Sequence, residues 1–90
     1  ARVARNLHEA RSLVAGEILI VPFTDASWTP FFALASGLAT EIGGTLSHGA
    51  VVARELGLPA IVDLPGATEC FTTGQQVRLD ADSGELVAID

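Results

Sequence analysis

The chain has little positive charge and a single cysteine. Five Lys and Arg stand against eleven Asp and Glu, and the formal net charge is −6. No basic stripe is available to neutralise the phosphates of a nucleic acid or an anionic membrane, so neither is predicted as a partner. Because Cys70 has no second cysteine to pair with, an internal disulfide is excluded, which favours a reducing, cytoplasmic compartment.

Long apolar runs and metal ligands are also scarce. No stretch approaches the roughly 20 apolar residues of a membrane span, and the N-terminus has no signal-peptide pattern. The soft metal ligands of the chain are His8, His48 and Cys70. Their sequence separations do not match those of a metal site, so no metal site is predicted. The sequence contains no Met and begins at Ala1. We therefore expect a domain excised from a longer, soluble chain. Because one domain of 90 residues has little surface with which to enclose two substrates, that chain is expected to be a larger multidomain enzyme.

The apolar positions that are present predict one mixed α/β domain over residues 1–90. Ile18–Val21 is a continuous apolar run, typical of a strand covered on both faces, and a second strand is predicted at 38–42. A helix is predicted from an N-cap at Ser47 to about Leu56, with Gly57 in the left-handed conformation that ends it. The other predicted elements are an edge strand at 2–5, one or two helical turns at 7–14, a helix at 31–36 closed by Gly37, a strand at 60–62, a brief helix at 67–71 and a terminal hairpin of 77–80 and 86–89. Aromatic residues between the first two of these apolar segments are predicted to anchor a loop to the core: Phe23, Trp28, Phe31 and Phe32.

His48 carries the chemistry that the sequence suggests. It follows Gly43 and Gly44, precedes Gly49, and stands where a helix is predicted to begin. Glycines leave the approach to the ring free of side chains, and the positive end of a helix dipole stabilises an anion by about 0.3–2 kcal/mol. A neutral imidazole with one free nitrogen is a nucleophile, so His48 is predicted to accept a phosphoryl group.

The other nitrogen of such an imidazole needs a hydrogen-bonding partner. The candidates are Thr45, Ser47 and a hydroxyl from the upstream loop, notably Thr29, and the sequence does not choose among them. Thr40, near the end of a predicted strand, is a further candidate for contact with the ring. The adjacent Ser47-His48 pair does not favour a serine hydrolase, because no acidic third member is identifiable.

The segment GGTLSHGAVVARELGLPAIV resembles the phosphohistidine signature of the mobile, or swivelling, domain of phosphoenolpyruvate-utilising enzymes. The similarity covers nearly the whole chain and includes the strand entry at 16–19, FTDASWTPFF at 23–32, the signature at 43–62 and the hairpin start at 74–77. Thr24-Asp25 and Trp28-Thr29-Pro30 are most similar to the phosphoenolpyruvate synthase and rifampin phosphotransferase branches.

The resemblance implies a compact swivelling β/β/α domain with a mixed sheet, in which His48 is transiently phosphorylated. The implied partners are an ATP-grasp nucleotide-binding domain and a pyruvate- or phosphoenolpyruvate-binding, or drug-binding, domain of the same polypeptide. Mg²⁺ and ATP or phosphoenolpyruvate are expected in those domains, and no cofactor is expected in this one. The isolated chain is not expected to turn over alone. The competing interpretation is a non-catalytic interaction or regulatory module that keeps the fold without the relay.

Four residues outside this loop complete the predictions. Arg54 matches the family's arginine and is expected to face away from His48, with a structural or docking role first and contact with phosphate second. Asp25 is predicted to cap its loop or to help present the histidine to a partner. Asp63 stands where members of the family often have glycine. Cys70 is predicted to pack as a small hydrophobic residue.

Overall fold

The computed structural model describes residues 1–43 and 48–89 of the chain. A short 3₁₀ helix (Ala26–Trp28) directly precedes the second α-helix. In chain order the strands and α-helices are β1 (Arg2–Val3), α1 (Leu7–Ala10), β2 (Ile18–Val21), α2 (Thr29–Phe32), β3 (Gly37–Thr40), α3 (His48–Leu56), β4 (Ala60–Ile61), α4 (Ala67–Cys70), β5 (Val77–Asp80) and β6 (Glu85–Ala88).

The first four strands form one parallel sheet in the order β1-β2-β3-β4. The two central strands pair over their full length, from Ile18 beside Gly37 to Val21 beside Thr40. Parallel neighbours require a crossover connection, and α1, α2 and α3 lie in the three successive crossovers. All carboxyl ends of these strands therefore lie at one edge of the sheet.

Side chains of β2 alternate between two hydrophobic clusters, as the pleat of a strand requires. Leu19 and Val21 belong to the larger cluster, together with Trp28 and Phe32. Ile20 belongs to the smaller cluster. Leu19, Ile20 and Val21 are all fully buried, which confirms that this strand is covered on both faces.

The last two strands form a separate antiparallel hairpin, with Val77 opposite Ala88 and Asp80 opposite Glu85. Its turn places Gly84 at φ +75°, a conformation that favours glycine. The mixed α/β fold and the terminal hairpin are confirmed. Parallel and antiparallel pairing lie in two sheets rather than in one mixed sheet.

The helix predicted at 31–36 is placed wrongly. The helix spans Thr29–Phe32, because Pro30 lacks a donor N–H and suits the first turn of a helix. Gly37 does not close it but opens β3, where a Cβ would lie 3.3 Å from a methyl carbon of Leu79 in the hairpin. Close approach of the hairpin, and not helix termination, is the constraint that glycine satisfies here.

The end of α3 is confirmed. Gly57 has φ +68°, its N–H donates to the carbonyl of Arg54 at 3.2 Å, and the N–H of Leu58 donates to the carbonyl of Ala53 at 2.8 Å. These two bonds form a Schellman motif, which satisfies carbonyls that the helix leaves unpaired.

Burial of the aromatic residues confirms part of the predicted core and corrects the rest. Trp28 and Phe32 are buried, and Phe31 packs against the same cluster. Phe23 is 50% exposed and is therefore not a core anchor. Cys70, at the end of the four-residue helix α4, is exposed rather than packed as a small hydrophobic residue.

Candidate functional site

The imidazole of His48 lies between two threonine hydroxyls. Thr24 Oγ1 is 3.2 Å from Nδ1, and Thr29 Oγ1 is 3.3 Å from Nε2. The two contacts differ in their surroundings, because the contact with Thr24 is partly buried while the contact with Thr29 is exposed. The ring therefore has an inner nitrogen, Nδ1, and an outer nitrogen, Nε2.

The topology explains why these three residues meet. Thr24 follows the carboxyl end of β2, Thr29 opens α2, and His48 opens α3 after the carboxyl end of β3. In open α/β sheets the crevice outside the carboxyl ends of the strands is where ligands bind. His48 is half-buried there, at the positive end of the α3 dipole.

Gly49 permits the approach of Thr24 to the start of α3. A Cβ at this position would lie 2.7 Å from Thr24 Oγ1 and 3.5 Å from a methyl carbon of Leu38. The first distance is shorter than a real carbon–oxygen contact allows, so a side chain at residue 49 would displace the Thr24 hydroxyl. The glycine after the histidine is thus required by the threonine that contacts the ring.

An aromatic side chain supports the ring from the core. Phe32 is buried, and its ring centroid lies 6.1 Å from that of His48 with planes tilted by 44°. A buried neighbour of this kind limits the positions that the imidazole can take, because protein interiors are close-packed. The ring centroids of Trp28 and Phe31 lie 6.2 Å apart in an edge-to-face arrangement. This contact packs the 3₁₀ helix against α2.

Thr40 makes no hydrogen bond to the imidazole, and its predicted contact with the ring stays a prediction. Its hydroxyl is buried and finds no hydrogen-bond partner in the part of the chain that the structure describes. Thr40 instead lines a cavity of about 250 Å³ with Thr24, Gly43, Phe23 and Ile42. Thr24 therefore both lines this cavity and contacts the imidazole of His48.

The remaining predicted residues fall into three groups. Gly44, Thr45 and Ser47 lie outside the described residues. Asp25 accepts a hydrogen bond from the amide of Ser27 at 2.9 Å, so the predicted cap of the loop is confirmed. Arg54 lies in the last turn of α3 and lines a groove beside the hairpin turn, and its docking role stays a prediction.

Thr24 is the ring contact that the sequence analysis does not single out. It lies in the upstream loop that is expected to supply a hydroxyl, but Thr29 is the residue named there. The signal was its place just after a buried apolar strand, at the edge where parallel strands gather their polar groups.

A second set of polar contacts connects the residue that follows β3 to α4. Glu41 Oε2 accepts hydrogen bonds from the amide of Thr68 at 2.9 Å and from its hydroxyl at 2.7 Å. The guanidinium of Arg5 donates to the carbonyl of Thr68 at 2.8 Å. Glu41 thereby caps α4 and ties it to the end of β3.

Metal-binding groups and membrane-spanning helices are both lacking over residues 1–43 and 48–89. No group of three or more His, Cys, Asp or Glu side chains in these ranges is arranged to hold a metal ion. None of the helices described there has the length and apolar character needed to cross a bilayer.

Comparison with known proteins identifies the family. Residues 13–84 match the family model described as PEP-utilising enzyme, mobile domain. The chain belongs to this family, as the signature around His48 suggested.

Curated relatives span several enzymes. The chain is 51% identical over 88 residues to the prodigiosin synthesizing transferase PigC of Serratia marcescens, 48% identical over 86 residues to the rifampicin phosphotransferase of Bacillus subtilis (strain 168), and 44% identical over 85 residues to the phosphoenolpyruvate synthase of Aquifex aeolicus (strain VF5). These matches cover 94–97% of this chain but only 10% of each relative. The two branches named by the resemblance are both among the relatives.

A solved structure supports the fold assignment. An NMR solution structure titled Enzyme I (nEIt) is similar, with a TM-score of 0.74 and 30% sequence identity over 88% of this chain and 33% of that chain. The swivelling-domain fold expected from the resemblance is confirmed.

Proposed function

We propose that this chain is the phosphocarrier domain of a larger phosphotransferase or dikinase, and that His48 is the residue that carries the phosphoryl group. The observation that supports this is the unequal setting of the two ring nitrogens. Thr24 holds Nδ1 on the partly buried side, while Nε2 faces the exposed Thr29. Both nitrogens have a hydroxyl contact, but only the contact at Nε2 is exposed, so a donor can reach this nitrogen by displacing the Thr29 hydroxyl.

We infer the tautomer that has its proton on Nδ1, because this tautomer leaves the lone pair on the exposed side of the ring. When Thr24 Oγ1 accepts the Nδ1 proton, the lone pair of the imidazole is on Nε2, and the Thr29 hydroxyl donates to it in the resting state. Thr29 lies on the surface, so its hydroxyl gives way to an incoming phosphoryl group at little cost. Nε2 is therefore the nucleophile.

The transfer step is a displacement at phosphorus. The Nε2 lone pair forms an N–P bond, the P–O bond to the leaving group of the donor breaks, and that group departs with the electron pair. The donor is ATP or phosphoenolpyruvate. A second displacement by an acceptor oxygen breaks the N–P bond and restores the neutral imidazole.

The positive end of the α3 dipole lowers the energy of the phosphorylated state. Such an interaction contributes about 0.3–2 kcal/mol, enough to favour uptake without making release slow. The domain itself carries a formal net charge of −6, so the charges that neutralise the donor phosphates belong to other domains. The described residues do not form a grouping for Mg²⁺, and no step is assigned to a metal on this chain.

The partners are an ATP-grasp nucleotide-binding domain and an acceptor-binding domain of the same polypeptide. The matched region is only 10% of each relative, so the relatives are long enough to contain both of these domains. The names of the relatives refer to different substrates or products. This agrees with a phosphoryl acceptor that is bound by another domain of each enzyme. We expect the whole enzyme to work in the cytoplasm.

Phosphohistidine labelling tests the proposal. The complete polypeptide is incubated with ATP or phosphoenolpyruvate carrying labelled phosphorus, and we expect one acid-labile, base-stable label per chain. His48→Ala removes the label, whereas His8→Ala is the matched control and keeps it. The ³¹P chemical shift of the labelled protein identifies Nε2 or Nδ1. Label that persists in His48→Ala contradicts the assignment.

A further inference from the structure

The outer nitrogen of His48 has a hydroxyl beside it. Thr29 Oγ1 lies 3.3 Å from Nε2, and this contact is exposed. The contact between Thr24 and Nδ1 is on the partly buried side of the ring, so a phosphoryl group that bonds to Nε2 arrives on the side of Thr29. The Thr29 hydroxyl therefore stands next to the atoms that react.

The backbone at Thr29 is anchored, although its side chain is exposed. Trp28 is 5% exposed and Phe32 is 2% exposed, and both belong to the larger hydrophobic cluster. Asp25 caps the 3₁₀ helix that leads into Thr29 by accepting a hydrogen bond from the amide of Ser27 at 2.9 Å. These anchors keep the threonine beside the ring, while its hydroxyl can still turn about the Cα–Cβ bond between staggered rotamers.

A hydroxyl in this position can donate to two acceptors in succession. It has one proton to donate, and in the resting state that proton goes to the Nε2 lone pair. Once the lone pair has formed the N–P bond, Nε2 no longer accepts a hydrogen bond. Because an N–P bond is shorter than a hydrogen bond, it brings the negatively charged phosphoryl oxygens close to Thr29. Hydrogen bonds to ionised acceptors are roughly twice as strong as bonds between neutral groups.

We propose that Thr29 is a catalytic residue whose hydroxyl moves from the Nε2 lone pair to an oxygen of the phosphoryl group during transfer. The inference rests on the proposed carrier function, since it requires phosphorylation at Nε2. The hydroxyl keeps its proton throughout, while the N–P bond forms and the P–O bond to the leaving group of the donor breaks. A donor already held beside Nε2 stabilises the negative charge that the phosphoryl oxygens carry in the transition state.

Thr29→Val in the complete polypeptide tests this role, because valine has a similar shape and no hydroxyl. Rapid quench gives the single-turnover rate of His48 phosphorylation with whichever donor, ATP or phosphoenolpyruvate, labels the wild type. The phosphorylated fraction at equilibrium gives a constant that does not depend on how fast the domains move. We expect both quantities to fall about tenfold, because the charge-assisted bond that is lost is stronger than the resting bond lost with it.

Two variants are the controls. Thr29→Ser keeps the hydroxyl and is expected to restore both quantities to within about twofold of wild type. Thr72→Val makes the same change at an exposed threonine before the hairpin and is expected to alter neither quantity. The ³¹P chemical shift of the phosphohistidine is expected to change in Thr29→Val and not in Thr72→Val. Thermal unfolding of every variant shows that the comparison is made between folded proteins.

The contrary outcome has the opposite sign. A hydroxyl that only occupies the Nε2 lone pair competes with the donor, so its removal in Thr29→Val would leave phosphorylation at the wild-type rate or faster, and this result overturns the inference. A Thr29→Ser variant as slow as Thr29→Val also overturns it, because the shape of the side chain and not the hydroxyl would then matter.

These results are distinguishable from a failure of the proposed function. If the wild type is labelled and His48→Ala is not, the carrier function stands whatever the Thr29 variants do. Label that survives in His48→Ala defeats the carrier function, and the role of Thr29 with it.

Discussion

Thr24 Oγ1 and His48 Nδ1 lie 3.2 Å apart, although 24 positions separate the two residues in the chain. The contact joins the end of β2 to the start of α3 and gives the imidazole one fixed nitrogen. A histidine acts as a nucleophile only through its unprotonated nitrogen, so under the proposed carrier function a proton held on Nδ1 by this contact would leave Nε2 to react.

Gly49→Ala is expected to break that pairing. The new Cβ would lie 2.7 Å from Thr24 Oγ1, so the hydroxyl must move away from the ring. Because alanine favours a helix over glycine by about 1 kcal/mol, the loss of stability caused by the clash with Thr24 is partly offset. We expect Nδ1 to lose its fixed protonation, with the tautomer equilibrium read from imidazole ¹⁵N shifts and phosphorylation slowed by about tenfold or more.

The double variant Gly49→Ala/Thr24→Ala is the control for this explanation. With the hydroxyl removed, the added methyl no longer meets Thr24, so the two substitutions are expected to be non-additive in stability. Strict additivity would show that the methyl group added at position 49 disturbs something other than Thr24.

Glu41→Ala is expected to destabilise the domain by about 1–3 kcal/mol. It leaves the buried amide and hydroxyl of Thr68 without their shared acceptor. Chemical denaturation gives the free energy of unfolding. Glu55→Ala removes an exposed carboxylate from α3 and is expected to change that free energy by less than about 0.5 kcal/mol. Equal effects of the two substitutions would contradict a specific role for Glu41.

Asp63→Gly is expected to stabilise the domain slightly. Asp63 has φ +61°, the only positive φ at a non-glycine position among the described residues. A left-handed conformation costs an L-residue about 1–2 kcal/mol, while glycine loses about 0.5–1 kcal/mol of chain entropy. The net gain is between about 0 and 1.5 kcal/mol in the free energy of unfolding, measured by chemical denaturation. Asp63→Val, with a branched side chain in the same conformation, should instead lower the free energy of unfolding.

Acid is expected to weaken the contact of Glu17 with the N-terminal strand. Burial raises the pKa of Glu17, but the amide of Val14 and the guanidinium of Arg2 outweigh it and lower the pKa below its usual value of 4.5. A carboxyl with a lowered pKa in the folded state stabilises the fold above about pH 4.5, and this contribution is lost as pH falls through the folded-state value. Unfolding free energies of wild type and Glu17→Gln should therefore converge as the solution is acidified. A difference that stays constant with pH would exclude this explanation.

Much of the fold follows from local pattern. The apolar run Ile18–Val21, the Gly57 stop of α3 and the terminal hairpin were all predicted, because each is set by neighbouring residues. The predicted helix at 31–36 differs from the observed helix at 29–32, because the sequence pattern makes Gly37 look like a helix terminator. Its real constraint is a contact with Leu79, 42 positions away in the sequence, which no local pattern contains.

The candidate site was predictable only in part. His48 stands in a specific signature, and Thr29 was among the candidate hydroxyls. Thr24 was not singled out and the cavity lined by Phe23 and Ile42 was not predicted, because both arise where the ends of β2 and β3 come together.

The sequence by itself determined the family, the element types and the histidine, since these depend on residue identity and short-range spacing. Only the tertiary structure decided which hydroxyls contact the ring, which nitrogen faces outward and which aromatic side chain stays exposed. The physical reason is that hydrogen bonds and burial depend on distances in space, and parallel strand pairing brings together residues that the chain keeps far apart.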